Sequence, residues 1–111
     1  MLRRPTSWPL VVGLFVGCNG AVFEVNGVVT RCDDATPIVG ARVRLALVSG
    51  VSGNEEGTSY TSPLGRYTAS LNEPPSATAR ITISKPGYSP VDDTLNGAPN
   101  GDRNYCLSAG P

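Results

Sequence analysis

The sequence predicts an all-β protein, a single seven-stranded β-sandwich carried behind an N-terminal signal peptide. Short runs of alternating apolar and polar residues recur along the chain, separated roughly every eight to twelve residues by clusters of Gly, Pro, Asn and Asp. No stretch keeps the apolar period of a helix for a useful length. Thirteen Gly and ten Pro in 111 residues make about a fifth of the chain, a turn-dense composition short of the low-complexity range. At that length one domain is the limit, because a second would have too little chain to bury a core of its own.

Residues 1–17 read as a signal peptide. Arg3 and Arg4 supply a short positive start, Trp8 to Val16 an apolar run interrupted by Pro9 and Gly13, and Gly17 a small residue before the cleavage point. The apolar run is about half of the roughly 20 residues that cross a bilayer as a helix, so it is not expected to stay as an anchor. Leu14-Phe15-Val16-Gly17-Cys18 resembles a bacterial lipobox, with Phe15 where that pattern usually has Leu. The resemblance implies that Cys18 receives a diacylglycerol group and becomes the new N-terminus, with residues 18–21 as a short lipid-anchored tether. Asn19, where Asp would signal inner-membrane retention, favours the outer membrane. An ordinary secretory signal cleaved near Gly17 or Gly20 is the alternative.

Residues 22–111 form the expected domain. Val22 to Thr30 is the first strand, with Gly27 marking a bulge or a close backbone approach. Asp33 to Pro37 is a turn. Ala41 to Val48 is the clearest strand, with Val43, Leu45 and Leu47 on one face and Arg42, Arg44 and Ala46 on the other. Ser49 to Gly57 is read as a solvated connection. Thr58 to Thr61 and Arg66 to Leu71 flank Ser62-Pro63-Leu64-Gly65, which is read as a hairpin turn. Pro74-Pro75-Ser76 breaks the chain before Thr78 to Ser84, where Ala79, Ile81 and Ile83 alternate with polar residues. Pro86-Gly87 fits the centre of a type II turn. Tyr88 to Leu95 and Asn104 to Ser108 complete the seven strands.

The segments Gly27-Val28-Val29-Thr30, Thr36-Pro37-Ile38-Val39-Gly40-Ala41-Arg42-Val43-Arg44-Leu45, Gly65-Arg66-Tyr67 and Ile83-Ser84-Lys85-Pro86-Gly87-Tyr88 resemble, in order, the motifs of carboxypeptidase regulatory-like domains. The resemblance spans about Gly27 to Leu95 and implies a transthyretin-like (Ig-like) sandwich. It also implies that Pro37 to Ala41 crosses between sheets, with Gly40 at a tight turn and Ala41 where space is small. Pro63 and Leu64 stand where the family usually has acidic residues, so a cation in that turn is not expected.

With Cys18 acylated, Cys32 and Cys106 are left as an even pair in an exported chain, which suggests a disulfide. Two separately buried thiols are the alternative. Nine basic against nine acidic residues give no electrostatic case for nucleic acid. Losing Arg3 and Arg4 with the signal peptide leaves acids in excess. No His is present, which removes the commonest general base and metal ligand; hydrolases and dioxygenases on transthyretin-like folds rely on His. The doublets Asp33-Asp34, Glu55-Glu56 and Asp92-Asp93 are read as solvated charges, since adjacent strand residues point to opposite faces. Calcium at such a doublet is a minor alternative without the spaced carboxylates of a binding loop. Tyr60, Tyr67, Tyr88 and Tyr105 are read as half-buried packing residues before a sugar-stacking platform. The expected protein has no catalytic, cofactor or metal residue. It is a lipid-anchored binding or scaffold module of the cell envelope, holding the membrane through its lipid and an envelope protein or glycan through its surface. A carbohydrate- or peptidoglycan-binding module is the alternative.

Overall fold

The computed structural model describes residues 22–50 and 55–110. The segments expected to be a signal peptide (residues 1–17) and a lipid-anchored tether (residues 18–21, with Cys18) lie outside the described residues. Seven strands follow in order: β1 (Phe23–Arg31), β2 (Arg42–Ser49), β3 (Glu56–Tyr60), β4 (Arg66–Leu71), β5 (Thr78–Ser84), β6 (Val91–Asn96) and β7 (Tyr105–Leu107). They form two sheets, β4-β1-β7 and β3-β2-β5-β6, the all-β sandwich the sequence pattern predicts.

Alternation decides which face is buried. Phe23, Val25 and Val29 of β1, Val43 and Leu45 of β2, Ile81 and Ile83 of β5 and Leu107 of β7 meet between the sheets, each almost completely withdrawn from solvent. Each fully buried side chain of this kind contributes about 1.5–3 kcal/mol relative to exposure. The crossover from β1 to the second sheet runs through Ile38 and Ala41, both buried. Its pivot is Thr61, whose hydroxyl donates to the Ile38 carbonyl (2.6 Å) and accepts from the Ala41 amide (2.8 Å).

That pivot corrects the expected hairpin. Ser62 to Gly65 does make a turn, with the Gly65 amide donating to the Ser62 carbonyl at 2.8 Å. The strands beside it nevertheless belong to different sheets. Thr61 exchanges backbone bonds with Gly40 and Ala41, which holds β3 along β2, while Arg66 continues opposite Val28 of β1. Two boundaries also move. Ladder pairing of β3 begins at Glu56, opposite Ala46, inside the segment expected to be a loop. β6 begins only at Val91, because Pro90 has no amide to give a ladder; Tyr88 instead makes an isolated bridge to Ala109. The Pro86-Gly87 turn is present, with Gly87 at φ 92° and the Tyr88 amide donating to the Lys85 carbonyl at 3.0 Å.

β1 is the centre of its sheet. β4 pairs with it antiparallel from Phe23–Leu71 to Val28–Arg66, and β7 pairs in parallel from Val29–Tyr105 to Arg31–Leu107. The register through Gly27–Tyr67 is unbroken, so Gly27 marks a close approach and not a bulge. A Cβ there would lie 1.9 Å from the Arg103 carbonyl oxygen. Gly57 plays the same part on the opposite flank, where a Cβ would lie 2.6 Å from the Ser70 carbonyl oxygen.

Cys32 and Cys106 form a disulfide with Cα atoms 4.8 Å apart at a sequence separation of 74. Both cysteines are exposed, so the bond ties the β1 and β7 ends together at the surface and not in the core. The Cys32 amide donates to the Leu107 carbonyl at 3.0 Å beside it.

Two outcomes are expected. Gly27→Ala should lower unfolding stability in urea by about 1–3 kcal/mol through overpacking against the 103 carbonyl; wild-type stability would show that the chain at Arg103 does not lie there. Reduction should remove roughly 4 kcal/mol by the loop-entropy estimate and slow the protein on a non-reducing gel. Labelling of two free thiols in the folded exported protein would contradict the bond.

Candidate functional site

The outer face of β4-β1-β7 is polar by the same alternation that makes its inner face apolar. Register places Asn26 opposite Thr68 and Val28 opposite Arg66. The connection from β6 then returns along the free edge of β1. The Arg103 amide donates to the Asn26 carbonyl (2.7 Å), the Val28 amide donates to Asn104 Oδ1 (2.9 Å), and the Tyr67 hydroxyl donates to the Arg103 carbonyl (2.6 Å). These bonds carry Asp102 to the rim of an open groove of about 350 Å³ lined by Asn26, Gly27, Arg66, Tyr67, Thr68 and Asp102.

Within the groove the Thr68 hydroxyl donates to Asn26 Oδ1 at 2.7 Å, leaving the Asn26 amide NH₂ as a donor. Arg66 and Asp102 have no side-chain hydrogen bond or ion pair among the described residues. Tyr67 is 4% exposed, and burial pushes its phenol well above the usual tyrosine range. It serves as a neutral hydrogen-bond donor that fixes the loop.

Behind the groove a charged cluster joins the two sheets at their β6–β7 edge. Asp93 of β6 accepts from Arg103 Nη2 (3.0 Å) and from the Tyr105 hydroxyl (2.8 Å), and Arg103 Nε donates to Tyr105 at 3.3 Å. The bonds from Arg103 and then Tyr105 hold the Asp93 carboxyl below the usual carboxylate range. The cluster aims Arg103 away from the groove and steadies the segment that bears Asp102.

The residues singled out from the sequence fall in separate places. Asp33 pairs with Arg31 at 3.3 Å, while Asp34 Oδ1 accepts from the Thr36 amide (3.1 Å) and hydroxyl (2.8 Å), closing its turn. Glu55 accepts from the Asn72 amide and Glu56 from Arg44. Asp92 accepts from Thr82 at 2.6 Å, on the opposite face from Asp93. The four tyrosines make no common platform: Tyr67 is core, Tyr88 and Tyr105 are partly buried against it, and Tyr60 is 62% exposed on β3. Sequence reasoning passed over Asn26, Arg66, Thr68, Asp102 and Arg103. It also passed over Glu73, which is 1% exposed although it sits in a Pro- and Asn-rich stretch. Among the described residues no cluster of His, Cys, Asp and Glu is placed to hold a metal ion.

Fold and site together define a two-sheet β-sandwich with a polar groove on its smaller sheet. No family model matches the chain, and no curated protein matches it. Among solved structures it is similar to a 9R-lipoxygenase from Cyanothece PCC8801, with a TM-score of 0.42 and 13% identity over 79% of this chain. The chain spans 16% of that lipoxygenase.

The Asp93 cluster gives a pH signature. A carboxyl whose folded pKa is depressed adds stability that is present above its unfolded value, about 3.9, and lost as pH falls through the folded value. Asp93→Asn should therefore destabilise the protein at pH 7, and the gap to wild type should begin to narrow below about pH 4 and close as pH falls through the depressed folded value. A gap independent of pH would show that the Asp93 charge is not what the cluster uses.

Proposed function

We propose that this chain is a lipid-anchored, non-catalytic β-sandwich of the carboxypeptidase regulatory-like kind, acting as a binding module at the cell envelope, with the outer membrane favoured. The observation that carries this reading is the closeness of the lipobox-like Leu14–Cys18 segment to the start of β1. Phe23 is already fully buried, so only residues 19–22 separate Cys18 from the sandwich. At no more than about 3.5 Å per residue the tether keeps the domain against the lipid surface.

The strand directions then orient it. The end bearing Phe23, Leu71 and Asn96 faces the membrane. The end bearing Cys32, Ile38 and Leu64 points away from it. The groove over Gly27 lies roughly halfway, about 13 Å along β1 from Phe23. Binding is favoured over chemistry because Tyr67 is kept protonated, the Asp93 carboxylate is already bonded to Arg103 and Tyr105, and Asp102 stands in the groove without a second carboxylate or a nucleophile paired to it among the described residues.

Intact mass spectrometry of the membrane fraction tests the anchor. The expected mass is residues 18–111 plus acyl groups, and Cys18→Ala should move the protein to the soluble fraction. An unmodified mass, or a chain beginning elsewhere, would overturn it.

A further inference from the structure

We propose that the groove over Gly27 is a saccharide subsite that takes one neutral, hydroxyl-rich ring of an envelope glycan, recognised by Arg66, Asp102, Asn26 and Thr68. The proposal rests on the binding-module reading and gives it a ligand class. Its ground is the mixture of hydrogen-bonding groups in one groove. Arg66 offers a fork of donors, Asp102 offers only acceptors, the Asn26 NH₂ donates, and the Thr68 oxygen has free lone pairs. A sugar hydroxyl donates and accepts at once, so adjacent hydroxyls on a ring satisfy both kinds of group together.

Charge argues against the competing ligands. An anion drawn to Arg66 meets the Asp102 carboxylate on the same groove, and a cation drawn to Asp102 meets the guanidinium. The two do not neutralise each other: the described ion pairs involve Arg31, Arg44 and Arg103 instead. An uncharged ligand that bonds to both pays no such repulsion.

Size and rigidity agree with one ring. About 350 Å³ lies at the small end of the roughly 300–1,000 Å³ typical of ligand sites. The rim carrying Asp102 is held by the bonds from the Arg103 amide to Asn26 and from Tyr67 to the Arg103 carbonyl, and the Arg103 side chain is fixed on Asp93. The backbone that carries Asp102 is therefore set before a ligand arrives, while the exposed Arg66 and Asp102 side chains order on binding. Tyr67 is buried and gives no open ring face for stacking. Affinity is accordingly in the millimolar range and led by hydrogen bonds.

The test is saturation-transfer NMR on the exported protein as purified. The probes are the methyl glycosides of glucose, galactose and mannose and N-acetylglucosamine, with acetate and glycine, whose carbon-bound protons report binding, as charged comparators. One glycoside should bind saturably, and Arg66→Ala and Asp102→Ala should each weaken it at least tenfold with the melting temperature unchanged, since neither side chain bonds within the fold. Tyr60→Ala, on the other sheet, should change nothing. Absence of saturable glycoside binding, binding by acetate or glycine alone, indifference to both groove variants, or loss with Tyr60→Ala would each overturn the subsite. Failure of the anchor is read separately by mass: a glycoside bound by an unlipidated chain overturns the anchor and leaves the groove standing.

Discussion

β7 has three residues and joins β1 in parallel, with Val29 opposite Tyr105 and Arg31 opposite Leu107. So short a strand at the end of the chain has few ladder bonds of its own, and bringing it back across the whole domain costs loop entropy. It stays because four separate features act at the same edge. Leu107 is buried in the core, the Cys32–Cys106 bond ties its middle residue to the chain just past β1, Asn104 and Arg103 bond the β1 backbone ahead of it, and Arg103 and Tyr105 reach Asp93 on the other sheet. The groove depends on this edge, because the same segment that feeds β7 delivers Asp102.

The two flanks of the sandwich are closed by different means. On the β3–β4 flank the strands come together at the backbone, where Gly57 lies against the Ser70 carbonyl. On the β6–β7 flank they are held by a charge network around Asp93, which shares the inward-facing side of its strand with the buried Leu95. A carboxylate pointing inward from an edge strand also discourages a second sheet from adding there. Asp93 is affordable because it is only partly withdrawn from water and is bonded to two donors.

The legible part of the fold is the part fixed by local physics. Val43-Arg44-Leu45 and Ile81-Thr82-Ile83 alternate with a period of two, which a half-buried strand requires, and the structure has strands at both. Pro86-Gly87 sets its turn by its own dihedral preferences, and Gly27 in an otherwise branched strand pointed to a near backbone neighbour. Sheet membership was not legible. The Ser62–Gly65 turn has the same local geometry whether its strands pair or part, and the parting is decided by Thr61 bonding to the crossover twenty-odd residues earlier. The tyrosine partners were hidden for a related reason: the Tyr67 hydroxyl bonds the Arg103 carbonyl and the Tyr105 hydroxyl bonds Asp93, which no local pattern places beside them. The groove was illegible altogether. Asn26, Thr68 and Asp102 come from two strands and a loop, each is an ordinary surface residue alone, and only the β1–β4 register and the returning edge assemble them.

A shallow polar groove without a stacking face binds weakly, and the proposed anchor bears on whether weak binding suffices. A domain held within a few residues of a lipid surface moves over that surface instead of through solution. Any glycan fixed to the same surface is then met at an effective concentration set by the tether and not by the bulk, and many anchored copies facing one polymer engage it together. Under those conditions a millimolar subsite gives lasting attachment while each contact still exchanges rapidly. Tight binding by a single domain would instead demand a deeper, drier pocket, which a sandwich of this size could form only by giving up core. On the proposed reading, the short tether, the small groove and the stapled return strand are parts of one arrangement: a compact scaffold whose fixed backbone presents a few hydrogen-bonding groups close to a membrane.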